Sequence, residues 1–141
     1  MAKIVYNACF GGFSLSHKAV MRYAEIKGLS IYAFVDERGV DGRLQFGKMK
    51  PASTEDAASA FIIHYYTVPD HPDDSYFSDH AIERTDPALI QVVEELGREA
   101  DGSCAKLKIA EVPSGTLYRI DEYDGSERVM TNDDYDWTVA P

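Results

Sequence analysis

The chain has 141 residues, of which 45% are hydrophobic and 27% are charged, a composition that excludes a disordered chain. Its 24 acidic and 14 basic residues give a formal net charge of −10. That charge argues against binding along a nucleic-acid backbone, because such binding depends on clustered Lys and Arg. No stretch approaches the roughly 18 consecutive apolar residues of a membrane span, and the N-terminus has no signal-peptide pattern. We therefore expect a cytoplasmic protein with no membrane contact, folded as a single domain over residues 1–141.

The hydrophobic pattern predicts an α+β fold, with about two main helices and a mixed or antiparallel sheet of about five to six strands. The predicted order is β-α-β-β-α-β-β-β. The elements are a strand at residues 4–6, a helix at 17–27, strands at 29–35 and 61–68, a helix at 87–100, and strands at 106–112, 116–123 and 127–131. The first three fit either a right-handed βαβ crossover or a helix that joins antiparallel strands. The run at 61–68 is the most strand-like and is expected at the centre of the sheet.

Local signals predict where the two helices begin and end. Ser14 or Ser16 can cap the first helix by accepting a backbone N–H of its first turn. Gly28 can take the left-handed conformation that ends this helix. Thr85 or Asp86 caps the second helix in the same way, and the proline that follows stands where no N–H is needed.

Two irregular regions lie between these elements, at residues 36–60 and 69–86. The first contains an Asp-Gly pair at positions 41–42, which predicts a hairpin turn, and most of the rest is expected to be a surface excursion. Long irregular segments often carry function, so each region is expected to be a lid, an interface or a plain surface loop. The acidic end of the chain, 132–141, is expected to dock loosely through Trp137.

The junction around Gly11 and Gly12 is the first candidate site. A strand that passes through a glycine-rich turn into a helix N-terminus presents free N–H groups and a positive dipole end, which can hold an anion. Hydroxyl groups and the guanidinium of Arg84 could add contacts, although Arg84 could equally pair with Asp79 or Glu83. The candidate ligand-binding residues are Asn7, Gly11, Gly12, Ser14, Ser16 and Arg84. The phosphate-loop pattern is absent. The alternative is a structural junction in which a glycine has a positive φ and Phe10 and Phe13 anchor the turn to the core.

A cysteine provides a second candidate. Cys9 lies near the start of the first helix and could act as a nucleophile, with His17, His64 or His80 as its base. No local catalytic signature accompanies it, and a cysteine among apolar residues is usually a small buried hydrophobe. Cys9 and Cys104 are therefore expected to be free, buried thiols in a reducing compartment.

The loop before the second helix provides a third candidate. It is rich in Asp and His, which are suitable ligands for zinc, manganese or iron. The candidate metal ligands are His71, Asp74, Asp79 and His80. Their spacing matches no metal-binding fingerprint, and Asp and His are also common turn residues. No metal or other cofactor is therefore expected.

Several motifs resemble a family of small, uncharacterised proteins encoded by tailed bacteriophages and prophages. The family motif N-x-C-[F/Y]-G-G-F-x-L-S matches residues 7–16. The other matches are R-x-D-P-x-L-I at residues 84–90, E-E-L-G at 94–97, L-x-I-x-E-V-P at 107–113 and I-x-E-Y-D-G-x-E at 120–127. The resemblance implies a setting in the infected bacterial cytoplasm. It implies no catalytic residues, because the family has none assigned.

The expected function combines these features. Since the chain has no complete catalytic set, we expect a non-enzymatic phage accessory protein that binds a small anionic or nucleotide-type ligand, such as a host defence signal. The glycine turn and Arg84 would form the site, with a Tyr or Phe as stacking partner. The first alternative is a protein-interaction module that binds and inhibits a host protein through residues 36–60 and the acidic surface. The second is a metal- or thiol-dependent hydrolase. A homodimer is a further expected partnership.

Overall fold

The structure is a computed structural model that describes residues 1–134 and 138–141, apart from the side chain of Phe46. The described residues form eight β-strands and three α-helices, which confirms the α+β class predicted from the sequence. In chain order the elements are β1 (Ala2–Asn7), α1 (His17–Lys27), β2 (Tyr32–Arg38), β3 (Leu44–Pro51), α2 (Thr54–Ser59), β4 (His64–Tyr66), β5 (Tyr76–Phe77), α3 (Pro87–Leu96), β6 (Leu107–Val112), β7 (Tyr118–Tyr123) and β8 (Ser126–Thr131).

The described strands are distributed over three antiparallel sheets, where the sequence predicted one. β1 pairs with β6, β7 pairs with β8, and the remaining four strands form a sheet in the order β3-β2-β4-β5. Because β1 and β2 lie in different sheets, α1 connects two sheets and is not a crossover within one. The period of a strand shows which of its faces is buried, but it does not show which strand pairs with it.

The core lies where α3 packs against both α1 and β1. Val5 of β1, Val20 of α1, and Leu89 and Val92 of α3 are almost completely buried in one cluster. Burial of each such side chain contributes about 1.5–3 kcal/mol to stability. This packing holds β1, and with it the start of the glycine turn, against α3 and in one core with α1.

The helix ends agree with the predicted signals. The Ser16 hydroxyl accepts a first-turn N–H of α1 at 3.1 Å, and Gly28 ends that helix with a φ of 70°. The Asp86 carboxylate accepts a first-turn N–H of α3 at 2.8 Å. Beyond α3 the chain continues as a 3₁₀ turn at Gly97–Ala100, so the α-helix itself is shorter than the predicted helix over 87–100.

Residues 36–60 are more regular than predicted. The hairpin turn is present: the N–H of Gly39 donates to the carbonyl oxygen of Arg43 at 2.8 Å. β3 and α2 then occupy much of the expected surface excursion, and Ser53 and Asp56 form a capping box at the start of α2. The pattern did not reveal these elements, because a bulge interrupts the pairing of β2 with β3 and α2 has only 6 residues.

The predicted strand at 61–68 is reduced to β4, which lies between β2 and β5 in its sheet. Phe61 and Ile62 precede β4 and are exposed. Residues 69–86 contain β5 and two short 3₁₀ turns. Trp137, predicted to dock on the body, lies outside the described residues.

Among the described residues, no helix has the length and the apolar character that crossing a membrane requires.

Candidate functional site

The glycine turn adopts the conformation that its glycines suggest. Gly11 has a φ of 118° and Gly12 a φ of 98°, a region that L side chains rarely enter. A Cβ atom on Gly11 would also lie 2.7 Å from both the Cβ and the carbonyl oxygen of Cys104. α1 begins only at His17, so the turn is not itself the helix N-terminus. The predicted contribution of the helix dipole to an anion site is therefore weakened.

The β7–β8 hairpin covers this turn. Its Gly125 packs so closely that a Cβ atom there would clash with the amide nitrogens of Gly11 and Gly12. The N–H of Gly11 points to the carbonyl oxygen of Asp124 at 3.4 Å. The hairpin thus occupies the side of the turn from which a ligand would approach these amides.

Asn7 is fully buried and joins three segments of the chain. Its Nδ2 donates to the carbonyl oxygens of Cys9 at 2.7 Å and Gly125 at 2.8 Å. Its Oδ1 accepts the N–H of Lys106 at 2.8 Å. Both donor hydrogens and the acceptor oxygen are therefore used inside the protein, and Asn7 acts here as a structural clip.

Arg84 forms a two-pronged ion pair with Glu127. Nη1 donates to Oε1 at 2.7 Å and Nη2 to Oε2 at 3.0 Å, and the guanidinium carbon lies 3.7 Å from the centre of the Phe13 ring. Burial favours the neutral form of Glu127, but the bonds from Arg84 and from the Asn7 N–H outweigh it and lower the pKa of Glu127. A carboxylate of the protein therefore fills the position that the anion of a ligand was predicted to take.

The cleft beside this ion pair has a volume of about 660 Å³. Its lining includes the carboxylates of Glu83, Glu122 and Glu127, the guanidinium of Arg84 and the imidazole of His80. Since Arg84 is already paired with Glu127, the remaining charge is negative. The described geometry does not favour a small anion in this cleft.

The two serines of the predicted site contact the protein's own backbone. The Ser16 hydroxyl caps α1 and also donates to the carbonyl oxygen of Glu99 at 2.6 Å. The carbonyl oxygen of Ser14 accepts the N–H of Gly102 at 3.0 Å, and Gly102 lies against the Ser14 side chain so closely that a Cβ there would clash. The structure thus joins Asn7, Gly11 and Gly12 through the β7–β8 hairpin, and it ties the serines to the segment after α3.

The aromatic residues of the turn behave differently from one another. Phe13 is buried, as predicted. Phe10 is 64% exposed, so the prediction that it anchors the turn to the core is wrong. With Phe13 under Arg84, the turn needs no second anchor, and Phe10 faces solvent beside Tyr123 and Arg128 in a smaller cavity of about 310 Å³.

The candidate metal ligands do not converge. His71 packs against the rings of Phe34 and Tyr66, and Asp74 is in a 3₁₀ turn. Asp79 and His80 are neighbours, 3.8 Å apart, but Asp79 also accepts the N–H of Leu15 at 2.9 Å. In the part of the chain that the structure describes, no three His, Cys, Asp or Glu residues are grouped to hold a metal ion.

The proposed bases for Cys9 are engaged with other groups. His17 Nδ1 lies 2.9 Å from the Tyr65 hydroxyl, and His64 pairs with Asp36 at 3.3 Å. The thiol of Cys9 instead points to the carbonyl oxygen of Cys104 at 3.2 Å.

The thiols are also more accessible than predicted. Cys9 is half-buried and Cys104 is exposed, so the prediction that both are buried is wrong. Cys104 lies at the protein surface, in the turn before β6.

A second cleft, which sequence reasoning missed, lies between the β2–β3 hairpin and α2. We call it the hairpin–helix cleft; its volume is about 700 Å³, and its lining includes apolar Leu44, Phe61 and Ile62, acidic Asp36, Glu37 and Asp56, and basic Arg38 and Lys50. No residue of α2 is buried, and Phe61 after it is 78% exposed. The hydrophobic run at 61–68 was the available signal, but its strand-like pattern suggested burial in a sheet.

β3 forms one wall of this cleft and is an edge strand. Within the described residues it pairs only with β2. Its sequence contains Lys48 and Lys50 and no acidic residue, in a chain whose net charge is −10. A basic edge on an acidic protein is a distinct local feature.

The chain shows no significant match to a protein-family model, to a curated protein or to a solved structure. The resemblance to phage-encoded proteins is therefore still a prediction.

Proposed function

We propose that the protein is a binding module whose hairpin–helix cleft receives an extended segment of a partner protein that carries both acidic and apolar side chains. The observation that carries this proposal is the cleft itself: Leu44, Phe61 and Ile62 are exposed beside an edge strand that is free to pair. Addition of a partner strand to a sheet edge is a common mode of peptide recognition, in which the backbone supplies affinity and side-chain pockets supply specificity.

The charge of β3 selects the chemistry of the partner. Lys48 and Lys50 would attract acidic side chains of a segment that pairs with β3. Lys50 also lies 3.9 Å from Asp56, and the cleft itself contains Asp36, Glu37 and Asp56, so the acidic groups of the segment belong at the β3 edge and its apolar groups in the cleft. A second copy of this chain is a poor occupant, because two antiparallel β3 strands would bring lysines of both copies together. Lysines and a bulge are also devices that limit indiscriminate pairing at a sheet edge.

The resemblance to phage proteins suggests that this segment belongs to a bacterial host protein. Under that setting, occupation of the segment would inhibit the host protein. This choice of partner depends on the resemblance, whereas the cleft and its charge do not.

The test is to pan a random peptide library on the purified full-length chain. We expect enrichment of peptides that combine Asp or Glu with large apolar residues. Loss of two buried apolar contacts should cost about 1.5–3 kcal/mol each, so the double variant F61S/I62S should bind the enriched peptides at least about a hundredfold more weakly. Charge reversal in K48E/K50E should also weaken binding.

Matched controls are available on other surfaces. Leu117 is 74% exposed, so L117S removes a comparable apolar group outside the cleft, and K106E/K108E reverses two lysines at β6. Both controls should bind like the original chain. Enrichment without acidic bias, or equal loss of binding in test and control variants, would overturn the proposal.

A second candidate function is the binding of a small nucleotide-type ligand. The observation that favours it is the cavity of about 310 Å³ beside the glycine turn, which is lined by Phe10, the 80%-exposed Tyr123 and Arg128 together with the acidic Asp121, Glu122 and Glu127. Aromatic rings can stack on a base, and Arg128 could pair with a phosphate. Thermal-shift and calorimetric screens with nucleotides and cyclic dinucleotides test it. A shift that R128A removes and R43A retains would support this candidate, and no shift with any of them would eliminate it.

A further inference from the structure

The only two cysteines of the chain meet in the folded protein, although 95 positions separate them. The Cys9 thiol lies 3.2 Å from the carbonyl oxygen of Cys104. Gly11 packs against the same residue, so closely that a Cβ on Gly11 would be 2.7 Å from the Cys104 Cβ. The absence of a side chain at Gly11 thus permits direct contact between the two cysteine-bearing segments.

The two thiols differ in accessibility. Cys104 is exposed and Cys9 is half-buried. An accessible thiol beside a second, more protected one is the arrangement in which oxidation at the first is resolved by attack from the second. The contacts of Cys9 with the Cys104 carbonyl and with Asn7 Oδ1, at 3.6 Å, are weak hydrogen bonds that a rotation of the side chain can release.

We infer that Cys9 and Cys104 form a reversible redox modification site, at which a peroxide closes an intramolecular disulfide. Hydrogen peroxide first oxidises the Cys104 thiol to a sulfenic acid and releases one water. The Cys9 sulfur then attacks the sulfur of that sulfenic acid, the S–O bond breaks, and a second water leaves. In sum, two thiols and one hydrogen peroxide give one disulfide and two waters, and a dithiol reductant reverses the reaction.

The disulfide would connect the end of β1 to the turn before β6. These segments already lie side by side, because β1 and β6 are paired along their length. The link would close a loop of about the 95-residue separation, which restricts the unfolded chain strongly in the entropic description of disulfides. We therefore expect the oxidised protein to melt roughly 5–15 °C higher than the reduced protein.

The experiment treats the purified, reduced full-length chain with hydrogen peroxide. Free thiols are counted by alkylation, and peptides are mapped without reduction. We expect loss of both free thiols in the monomer, a mass lower by about 2 Da, and a peptide that links position 9 to position 104. Dithiothreitol should restore both thiols.

The variants C9S and C104S provide the controls. C104S should gain no linked peptide and should retain its half-buried thiol, while C9S should accumulate oxygen adducts at Cys104 or form intermolecular dimers. If both thiols of the original chain stay open to alkylation after oxidation, the inference is refuted. Sulfinic acid or dimers as the main products of the original chain would also refute the inference. Both refuting outcomes are measured on the original chain, so they do not depend on whether a variant folds.

Discussion

The ion pair between Arg84 and Glu127 offers a direct test of whether the region around the glycine turn is structural. The perturbation is Arg84→Met, which preserves much of the volume of the side chain and removes its charge. Glu127 is 9% exposed and Arg84 17% exposed, so the pair is largely shielded from water. After the substitution, the Glu127 carboxylate retains the hydrogen bond from the Asn7 N–H at 2.8 Å and loses both bonds from the guanidinium.

The expected cost follows from those lost bonds. Removal of one partner of a buried ion pair typically destabilises a protein by 3–5 kcal/mol, because the other charge stays buried. Water can reach the small exposed part of this pair, so we expect the lower end, about 3 kcal/mol. Glu127→Gln removes the charge but keeps the shape, and the double variant should be less destabilised than the sum of the single variants by about 1.5 kcal/mol or more.

The dependence on pH adds an independent criterion. The pKa of Glu127 lies below its ordinary value of 4.5, since the bonds from Arg84 and the Asn7 N–H outweigh the effect of burial. A lowered pKa contributes stability above pH 4.5, and this contribution is lost as the pH falls through the folded-state pKa. The destabilisation caused by R84M should therefore shrink in acid, where Glu127 is neutral.

Urea denaturation of the four proteins at neutral and acidic pH measures these quantities by linear extrapolation. A cost below about 1 kcal/mol for R84M at neutral pH, or additive effects in the double variant, would contradict the structural role of the pair. Arg84 would then be free to serve a ligand, as the sequence first suggested.

Three further predictions concern the packing and the ionisation of the fold. Leu89→Ala leaves a cavity in the centre of the core and should reduce the free energy of unfolding by about 2–5 kcal/mol in urea titrations; a cost under about 1 kcal/mol would contradict the packing described for α3. Gly125→Ala should cost more than Gly115→Ala, since both glycines have positive φ but only a Cβ on Gly125 would clash with the glycine turn; equal changes in Tm would count against that contact. Burial and the hydrogen bond to Asp86 raise the pKa of Tyr23 from 10.0 to about 12. The contribution of Tyr23 to stability is therefore present below pH 10 and is lost as the pH rises to 12. Tyr23→Phe should lessen this loss of stability at alkaline pH, and an unchanged alkaline unfolding curve would contradict the prediction.

The parts of the fold that were predictable are those set by nearby residues. Ser16 and Gly28 delimit α1, and Asp86 begins α3, because caps act within one helical turn. The Asp-Gly turn at 124–125 joins β7 to β8 for the same reason. These contacts can be read from a short window of sequence.

Contacts between distant residues could not be read in this way. β1 pairs with β6 about a hundred positions away, and nothing in the alternation of either strand specifies that partner. Arg84 illustrates the same limit within the candidate site. Its guanidinium was expected either to bind a ligand or to pair with Asp79 or Glu83, yet its partner Glu127 lies 43 positions further along the chain and is one of many acidic residues there.

The fold also gives a structural interpretation of the sequence motifs on which the resemblance to phage proteins depends. Three of the matched segments, at 7–16, 84–90 and 120–127, meet at one place: Asn7 bonds to Gly125, and Arg84 pairs with Glu127. Each segment requires the others for its hydrogen bonds, so this set of motifs describes one structural junction. Its polar groups satisfy one another, which leaves little there for a partner to bind. The hairpin–helix cleft has the opposite character, with exposed apolar side chains beside a lysine-bearing strand whose second edge has no partner among the described residues, and for that reason the binding function is proposed there.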